Sequence, residues 1–262
     1  MPAIEFQGVS KRYPNGLLAL APLSVAIEPG EFVAVMGSSG AGKSTFIRLV
    51  NGLETASTGH IVVNGLTLDA GTLRSIRSGT GMVFQQFNLV GRLSVMANVL
   101  TGRLSHRSSL ASLLYLFRHE DVEIARHALS RVGLVDKAWQ RADKLSGGQQ
   151  QRVGIARALA QQPRVILADE PVASLDPVTA LEIMDLLREI NRQDGITVVV
   201  SLHQVDLIRQ YADRVLGLHR GELVFDGVPA ALTDDVLRRV YLRGAGGHAG
   251  EAVPDAIPVL HA

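Results

Sequence analysis

Residues 37–45 read Gly37-Ser38-Ser39-Gly40-Ala41-Gly42-Lys43-Ser44-Thr45 and fit the pattern G-x-x-x-x-G-K-[ST]. Glycines at these positions let the backbone curl until successive N–H groups point at phosphate oxygens, and a following helix adds the positive end of its dipole. We expect the stretch to bind ATP, with Lys43 reaching the β and γ phosphates and the Ser44 hydroxyl ligating Mg²⁺. The alternative is a glycine-rich turn without a ligand. It is disfavoured because a predicted strand precedes the pattern and a predicted helix follows it.

Short apolar runs and turn residues divide the rest of the chain into strands and helices. In the first part we predict strands at 4–9, 17–27, 32–36, 60–64 and 81–84, and a helix at 44–53. Beyond residue 145 we predict helices at 147–162, 178–192, 205–212 and 231–242, with strands at 165–168 and 197–202. Alternation of this kind is typical of a doubly wound, largely parallel sheet.

Residues 88–141 interrupt the alternation with helical periodicity, clearest at 121–132, and carry little strand signal. We therefore predict an α/β fold: a phosphate-loop NTPase core with a largely parallel sheet, N-terminal antiparallel strands and an inserted helical subdomain. A single domain is expected at 1–243, with the insertion at 86–144 and no internal repeat. The segment 244–262 is rich in Gly, Ala, Pro and His and is predicted to be a disordered tail.

Composition and charge limit the classes of function. Lys and Arg number 26 against 25 Asp and Glu, so we expect no strongly basic surface for nucleic acid. Cysteine is absent, which excludes disulfides and thiol-ligated metal. We expect no signal peptide, and the apolar runs at 17–27 and 196–202 are shorter than the roughly 20 residues that span a membrane.

Two adjacent carboxylates, Asp169 and Glu170, end the apolar strand predicted at 165–168. Consecutive strand residues point in opposite directions, so we expect the two side chains to do different work. In a phosphate-loop ATPase, Asp169 would hold Mg²⁺ and Glu170 would polarise the attacking water as general base. The alternative is an acidic helix cap before Pro171.

A second glycine-rich helix start lies at residues 145–149, where Ser146 is a candidate cap. Its glycines allow close approach of another phosphate, and the group expected to bind it is Ser146, Gly147, Gly148 and Gln149. The chain thus has two phosphate cradles and one acidic strand end for magnesium. Unless one chain binds two nucleotides, each nucleotide site must be completed by the second glycine-rich helix start of another copy, which indicates a dimer. The alternative is an ordinary Ser-capped helix.

The stretches GSSGAGKST, LSGGQQQR, VILADE and SLDP resemble the motifs of ABC-type ATP-binding subunits and occur in the same order. The resemblance extends from residue 13 to about residue 241, and LSGGQ is its most specific mark. It implies a head-to-tail dimer in which two ATPs lie between residues 37–45 of one copy and 146–149 of the other.

Four further positions match motifs of this family. The resemblance implies that Gln85 approaches Mg²⁺ and the attacking water, and that His203 contacts the γ-phosphate. It also implies that Asp176, in Ser174-Leu175-Asp176-Pro177, communicates across the dimer, and that Tyr13 stacks on adenine. The alternatives are a solvated loop amide for Gln85, a structural histidine for His203, a helix N-cap for Asp176 and a turn tyrosine for Tyr13.

A cassette without a spanning helix resembles the separate ATPase subunit of bacterial importers. In that family, integral membrane permease subunits insert a short helix beside the loop after Gln85, here residues 87–95. Within the family, four stretches together resemble ATP-binding subunits of phosphonate importers: QQFNLVGRLSVMANVLTGRL, LSGGQQQRV, LADEPVASLDP and SLHQVDL. The resemblance implies an ATPase that drives phosphonate import, with phosphate or phosphite as near variants. It would lie peripherally on the cytoplasmic face of the inner membrane and work indirectly with a solute-binding protein.

Two other classes of function remain open from the residues. The first is a soluble ABC ATPase that acts on DNA or ribosomes, but residues 88–141 lack the sustained heptads of a long coiled-coil insertion. The second is a nucleotide-controlled switch without meaningful turnover, which Glu170 and His203 disfavour.

Overall fold

The computed structural model describes residues 1–106 and 116–241. Its strands are β1 (Ile4–Arg12), β2 (Leu18–Ile27), β3 (Phe32–Met36), β4 (Thr58–Val63), β5 (Leu66–Thr67), β6 (Thr80–Phe84), β7 (Val165–Asp169), β8 (Thr197–Leu202), β9 (Arg214–His219) and β10 (Glu222–Gly227). Its α-helices are α1 (Lys43–Val50), α2 (Leu73–Ser78), α3 (Val95–Leu100), α4 (His119–Arg131), α5 (Gly147–Ala160), α6 (Pro177–Asp194), α7 (Val205–Tyr211) and α8 (Asp234–Tyr241). Short 3-10 helices lie at Thr101–His106, Val135–Lys137, Ala142–Lys144 and Pro229–Ala231.

The strands form two sheets. The larger has the order β10-β9-β3-β8-β7-β6, and every neighbouring pair in it is parallel except β10 with β9. The smaller is antiparallel, with the order β2-β1-β4-β5. Strands β3, β7 and β8 are buried along their whole length, as expected for parallel strands covered on both faces. The predicted α/β class, with its parallel core and antiparallel N-terminal strands, is confirmed.

The carboxyl ends of four parallel strands meet at one edge of the larger sheet. Met36 of β3 is level with Leu202 of β8, and Phe84 of β6 is level with Asp169 of β7. The loops that follow these four strands therefore emerge side by side. They contain the predicted phosphate loop, Gln85, Glu170 and His203, which lie far apart in the chain.

Helices dominate the region between β6 and β7 in the described residues. Helices α3 and α4 pack on α5 through buried apolar side chains such as Val99, Leu129 and Val153. This agrees with the helical periodicity of 88–141, and helix α4 covers most of the predicted segment 121–132. The limits 86–144 for a separate subdomain remain a prediction, and residues 107–115 lie outside the described residues.

Several elements differ from the sequence prediction. Strand β5, helix α2 and the hairpin β9–β10 were not predicted. The hairpin turns at Arg220 and Gly221, which both have positive φ (48° and 84°), and arginine is not a residue that signals such a turn. The closing helix begins at Asp234, later than the predicted 231, because Pro229–Ala231 forms a 3-10 turn. Residue 242 and the predicted tail at 244–262 lie outside the described residues.

Candidate nucleotide site

The predicted phosphate loop runs directly from β3 into α1. Gly42 is the N-cap of α1 and has φ +106°. A Cβ at this position would lie 2.5 Å from the Ala19 carbonyl oxygen. A Cβ at Gly37 would collide with the Leu218 carbonyl oxygen. Both positions therefore need glycine for close backbone approach. The result is a tight turn that opens onto the N-terminus of α1, which is the arrangement that favours phosphate.

Lys43 lies inside this turn with 4 % of its surface exposed. Its Nζ donates to the carbonyl oxygens of Gly37 and Ser38, both at 3.1 Å, and lies 3.6 Å from Glu170 Oε1. Burial lowers the pKa of Lys43, and the negative charge of Glu170 opposes that shift. The ammonium is thus held where a phosphate at the loop would meet it.

Asp169 is the most densely contacted carboxylate of the site. Its Oδ1 accepts hydrogen bonds from Ser44 Oγ at 2.8 Å and from Ser201 Oγ at 3.1 Å, while Arg48 Nη2 lies 3.6 Å from Oδ2. Hydroxyl and carboxylate oxygens are the ligands that Mg²⁺ prefers, and it takes few from protein when substrate phosphates supply others. The described residues hold no group of three or more His, Asp or Glu that could hold a metal ion. The pair Ser44 and Asp169 fits Mg²⁺.

Glu170 lies beyond the end of β7 in a left-handed conformation, with φ 49°. Its backbone N–H donates to Ser201 Oγ at 2.8 Å, and its Oε1 lies 2.6 Å from His203 Nε2. The prediction that strand alternation separates Asp169 from Glu170 is wrong, because Glu170 is not a strand residue. The left-handed turn, and not the pleat, aims the two carboxylates at different partners.

Ser201 is a site residue that the sequence analysis missed. It is fully buried, at 0 % exposure, and it links the backbone of Glu170 to the carboxylate of Asp169. The available signal was a serine that interrupts the apolar run of the strand Thr197–Leu202, one residue before its end. A buried polar group in such a strand needs partners, and the neighbouring strand end supplies them.

Gln85 and Tyr13 border the same edge. Gln85 is exposed and directly follows Phe84, which is level with Asp169. The Tyr13 hydroxyl lies 3.4 Å from Thr45 Oγ1, at the start of α1, and Lys11 Nζ lies 4.9 Å from the centre of the Tyr13 ring. The Tyr13 hydroxyl thus lies beside the first turn of α1, and Gln85 follows the strand end that pairs with Asp169. The predicted roles, water and metal contact for Gln85 and adenine stacking for Tyr13, stay predictions.

The second predicted cradle begins α5. Ser146 Oγ accepts from Gln149 N at 3.4 Å and Gln149 Oε1 accepts from Ser146 N at 3.2 Å, so the two residues form a capping box. Among the described residues, no hydrogen bond or ion pair joins 146–149 to 37–45. Completion of the site by residues 146–149 of a second copy stays a prediction.

Asp176 caps α6, as the alternative interpretation expected. Its Oδ1 accepts from Thr179 N at 3.0 Å and its Oδ2 from Thr179 Oγ1 at 2.6 Å. The hydrogen bond from the Thr179 side chain, with that from its backbone, lowers the pKa of Asp176. Communication across a dimer is not tested by this contact.

Two side chains that the sequence analysis missed, Arg157 and Asn98, form hydrogen bonds with the backbone of the loop after Gln85. Phe87 and Asn88 have positive φ (45° and 49°), and Arg157 of α5 donates to the carbonyl oxygen of each, at 3.1 Å and 2.6 Å. Asn98 accepts from the N–H of Val90 at 2.8 Å, while the Val90 side chain is 52 % exposed. The backbone of 87–95 is therefore held firmly, with an apolar side chain at its surface.

Together, the glycine turn, its buried lysine and the paired carboxylates define a phosphate-loop nucleotide-binding protein. The ABC transporter family matches residues 20–173 of the chain, and the chain belongs to that family. It is an ABC ATPase, and ATP is its nucleotide.

Relatives of known name are similar over nearly the whole chain. The phosphonates import ATP-binding protein PhnC of Thiobacillus denitrificans is 64% identical over 243 residues, covering 93% of this chain and 94% of the relative. The protein of the same name from Shouchella clausii is 52% identical over 243 residues, covering 92% of this chain and 91% of the relative.

Solved structures of ABC cassettes are similar as well. The dimeric post-hydrolysis structure of the cassette MJ0796, bound to ADP and Pi, has a TM-score of 0.75 and 36% identity, covering 86% of this chain and 98% of that one. CbiO1 of Clostridium perfringens, part of the transporter complex CbiONQ, has a TM-score of 0.79 and 29% identity, covering 91% and 94%. Within the described residues, no helix has the length and apolar character needed to cross a bilayer.

Proposed function

We propose that this chain is the ATP-hydrolysing motor subunit of an ABC importer for phosphonates. The observation that carries the proposal is 64% identity, over 93% of the chain, to a phosphonates import ATP-binding protein. Phosphate and phosphite remain near variants of the solute because their chemistry resembles that of a phosphonate head group.

The geometry supports a division of labour in hydrolysis. Lys43 binds the phosphates, and Ser44 and Asp169 hold Mg²⁺, which neutralises phosphate charge when bound. Glu170 lies within 2.6 Å of His203 Nε2 and 3.6 Å of Lys43 Nζ, so its carboxylate borders the position expected for the terminal phosphate. There the Glu170 carboxylate accepts a proton from the attacking water, and the contact with His203 fixes the orientation of that carboxylate.

The proposal includes a head-to-tail dimer in which residues 146–149 of a second copy complete each site. A dimeric cassette and a member of a transporter complex among the structural relatives support this arrangement. Permease subunits would dock at 87–95, where Arg157 and Asn98 hold the backbone, and a solute-binding protein would act indirectly. The chain would then lie on the cytoplasmic face of the inner membrane. Its single domain would be 1–243 with the helical insertion at 86–144.

Uptake of a labelled alkylphosphonate by cells that carry the native chain or Lys43→Ala tests the proposal. We expect phosphonate uptake to disappear in Lys43→Ala, because the buried ammonium is lost from the loop, while orthophosphate uptake is spared. Lys137→Ala, which removes a lysine from a 3-10 helix of the insertion, is the control and should transport normally. Phosphonate uptake that survives Lys43→Ala at equal protein level would contradict the import role.

A further inference from the structure

We propose that Tyr241 is a positioning residue for ATP hydrolysis, because its hydroxyl holds the backbone carbonyl of His203. This inference rests on the proposed function, in which His203 directs Glu170. It adds a residue from the C-terminal helix α8 to a site built around the carboxyl ends of the parallel strands and the start of α1.

The contacts form a short chain from α8 to the catalytic carboxylate. Tyr241 Oη donates to the His203 carbonyl oxygen at 3.1 Å, and His203 Nε2 lies 2.6 Å from Glu170 Oε1. Tyr241 lies 38 residues beyond His203 in sequence, so the contact depends on tertiary structure. Burial raises the pKa of Tyr241 to about 12, so the hydroxyl stays a donor at neutral pH.

His203 needs such an anchor because it belongs to neither neighbouring element. Strand β8 ends at Leu202 and helix α7 begins at Val205, so His203 is part of neither the sheet nor the helix. Its side chain is 40% exposed, and packing alone therefore leaves it loosely held. A hydrogen bond to the carbonyl restricts rotation of the peptide that carries the ring.

Tyr241 is itself held firmly. Val236 and Val240 bury the inner face of α8, and a Cβ at Gly217 of β9 would come 2.8 Å from a methyl of Val240. His219 Nδ1 lies 3.1 Å from the Val240 carbonyl oxygen, which fixes the last turn of the helix against the hairpin. The hydroxyl therefore reaches His203 from a helix that is packed against the hairpin, as a positioning group requires.

Tyr241→Phe removes the hydroxyl and keeps the ring. Displacement of a reacting group by about 1 Å can cost up to about 100-fold in rate. For a change that loosens one peptide, we expect kcat for ATP to fall about tenfold, with KM changed less than about twofold. Such a split between kcat and KM indicates a contact needed for the reaction and not for nucleotide binding.

Tyr211→Phe is the matched control. Tyr211 Oη donates to Asp185 Oδ1 at 2.6 Å and lies 3.5 Å from the Leu181 carbonyl oxygen, and its pKa is also raised to about 12, so the same atom is lost together with its hydrogen bonds. This contact joins α7 to α6 and does not involve His203. We expect Tyr211→Phe to lower the melting temperature at least as much as Tyr241→Phe and to keep kcat unchanged.

Two measurements separate a positioning role from a structural one. In a double-mutant cycle, Tyr241→Phe should have no further effect on the residual turnover of His203→Ala. The imidazole NMR resonances of His203, assigned by their loss in His203→Ala, should shift in Tyr241→Phe and stay in place in Tyr211→Phe. Full additivity in the cycle, unshifted resonances, or equal loss of kcat in both tyrosine variants would overturn the inference.

The same experiments separate this inference from the proposed function. If the native chain turns over and His203→Ala lowers kcat while Tyr241→Phe matches the native chain, the role of Tyr241 fails and the ATPase assignment stands. If the native chain, assembled with its permease, releases no phosphate, both the assignment and the hydrolytic role fail. The resonances then still decide whether the contact exists.

Discussion

Replacement of Glu170 by glutamine is the sharpest test of the reaction chemistry. Glutamine has nearly the size and shape of glutamate, so Glu170→Gln removes the basic oxygen and one negative charge while the local backbone is kept. The left-handed backbone at φ 49° and the N–H donated to Ser201 do not depend on the carboxylate. The fold and the glycine turn at 37–42 should therefore remain intact.

The expected size of the effect follows from the contacts of the carboxylate. A positioned general base contributes about 10²- to 10⁴-fold, or about 2.7 to 5.5 kcal/mol, so kcat should fall by that amount. Glu170 Oε1 lies 3.6 Å from Lys43 Nζ, which is the cation expected at the phosphates. Loss of the competing negative charge should strengthen ATP binding by about 1 kcal/mol, or about fivefold.

Phosphate release and ATP binding should be measured on purified protein with Mg²⁺, with gel filtration to detect a dimer that persists in ATP. Glu182→Gln is the control, because Glu182 also pairs with a cation, Arg152 at 2.9 Å, but lies exposed on α6. It should keep native turnover. Glu170→Gln protein that hydrolyses ATP at the native rate would refute the assignment of the base. Lost ATP binding would refute the electrostatic argument.

Two further substitutions test the structure around the site. Asp213 accepts from both terminal nitrogens of Arg188, at 2.7 Å and 2.6 Å, and its pKa is lowered by that pair. A carboxylate whose pKa is lower in the folded protein stabilises the fold at pH values above its pKa in the unfolded chain, which is 3.8. This stabilisation is lost as the pH falls through the pKa of the folded protein. Asp213→Asn should therefore reduce the free energy of unfolding by about 1 kcal/mol after solvent screening. The reduction should be equal at pH 7 and pH 5 and smaller below about pH 4. Denaturant titration that shows the same reduction at every pH down to pH 3 would contradict this. Ser146→Ala removes the cap of α5 and should cost about 1 kcal/mol of stability, whereas Ser146→Asp keeps a capping oxygen but places a negative charge where a phosphate is expected. Both variants should have lower ATPase activity than the native chain, and Ser146→Asp should lose more of it than Ser146→Ala. Native turnover in Ser146→Asp would argue against a phosphate at this helix end.

The sequence predicted best those elements whose signal is local. The apolar runs at β3 and β8 were placed at their observed bounds, because both strands are buried on two faces and end at polar or glycine residues. The hairpin β9–β10 was missed, since its turn relies on Arg220 in a left-handed conformation. Short elements such as β5 depend on pairing with β4, which no local pattern reveals.

For the site, the sequence identified residue types but not the contacts between strands. Asp169 and Glu170 were found because they end an apolar run, and His203 was found through the resemblance to ABC-type subunits. Ser201 and Tyr241 were not, because their importance comes from register and packing: Ser201 lies beside the end of β7, and Tyr241 approaches from the closing helix. Arg157 was missed for the same reason, since the carbonyl groups it binds lie in a loop about 70 residues away.

The conformation of Glu170 shows why a local rule failed at the centre of the site. A non-glycine residue in the left-handed region costs roughly 1 kcal/mol, and glycine would remove that cost. Glycine, however, would provide no carboxylate beside Lys43 and His203. The strain is offset by the N–H that Glu170 donates to Ser201, by the ion pair of its side chain with Lys43 and by its contact with His203 Nε2. Because the turn aims Glu170 away from the direction that a continued strand would give it, Asp169 keeps Ser44 while Glu170 meets His203. The backbone outlier is thus what directs two adjacent carboxylates to different partners, as their proposed roles at a metal and at a water require.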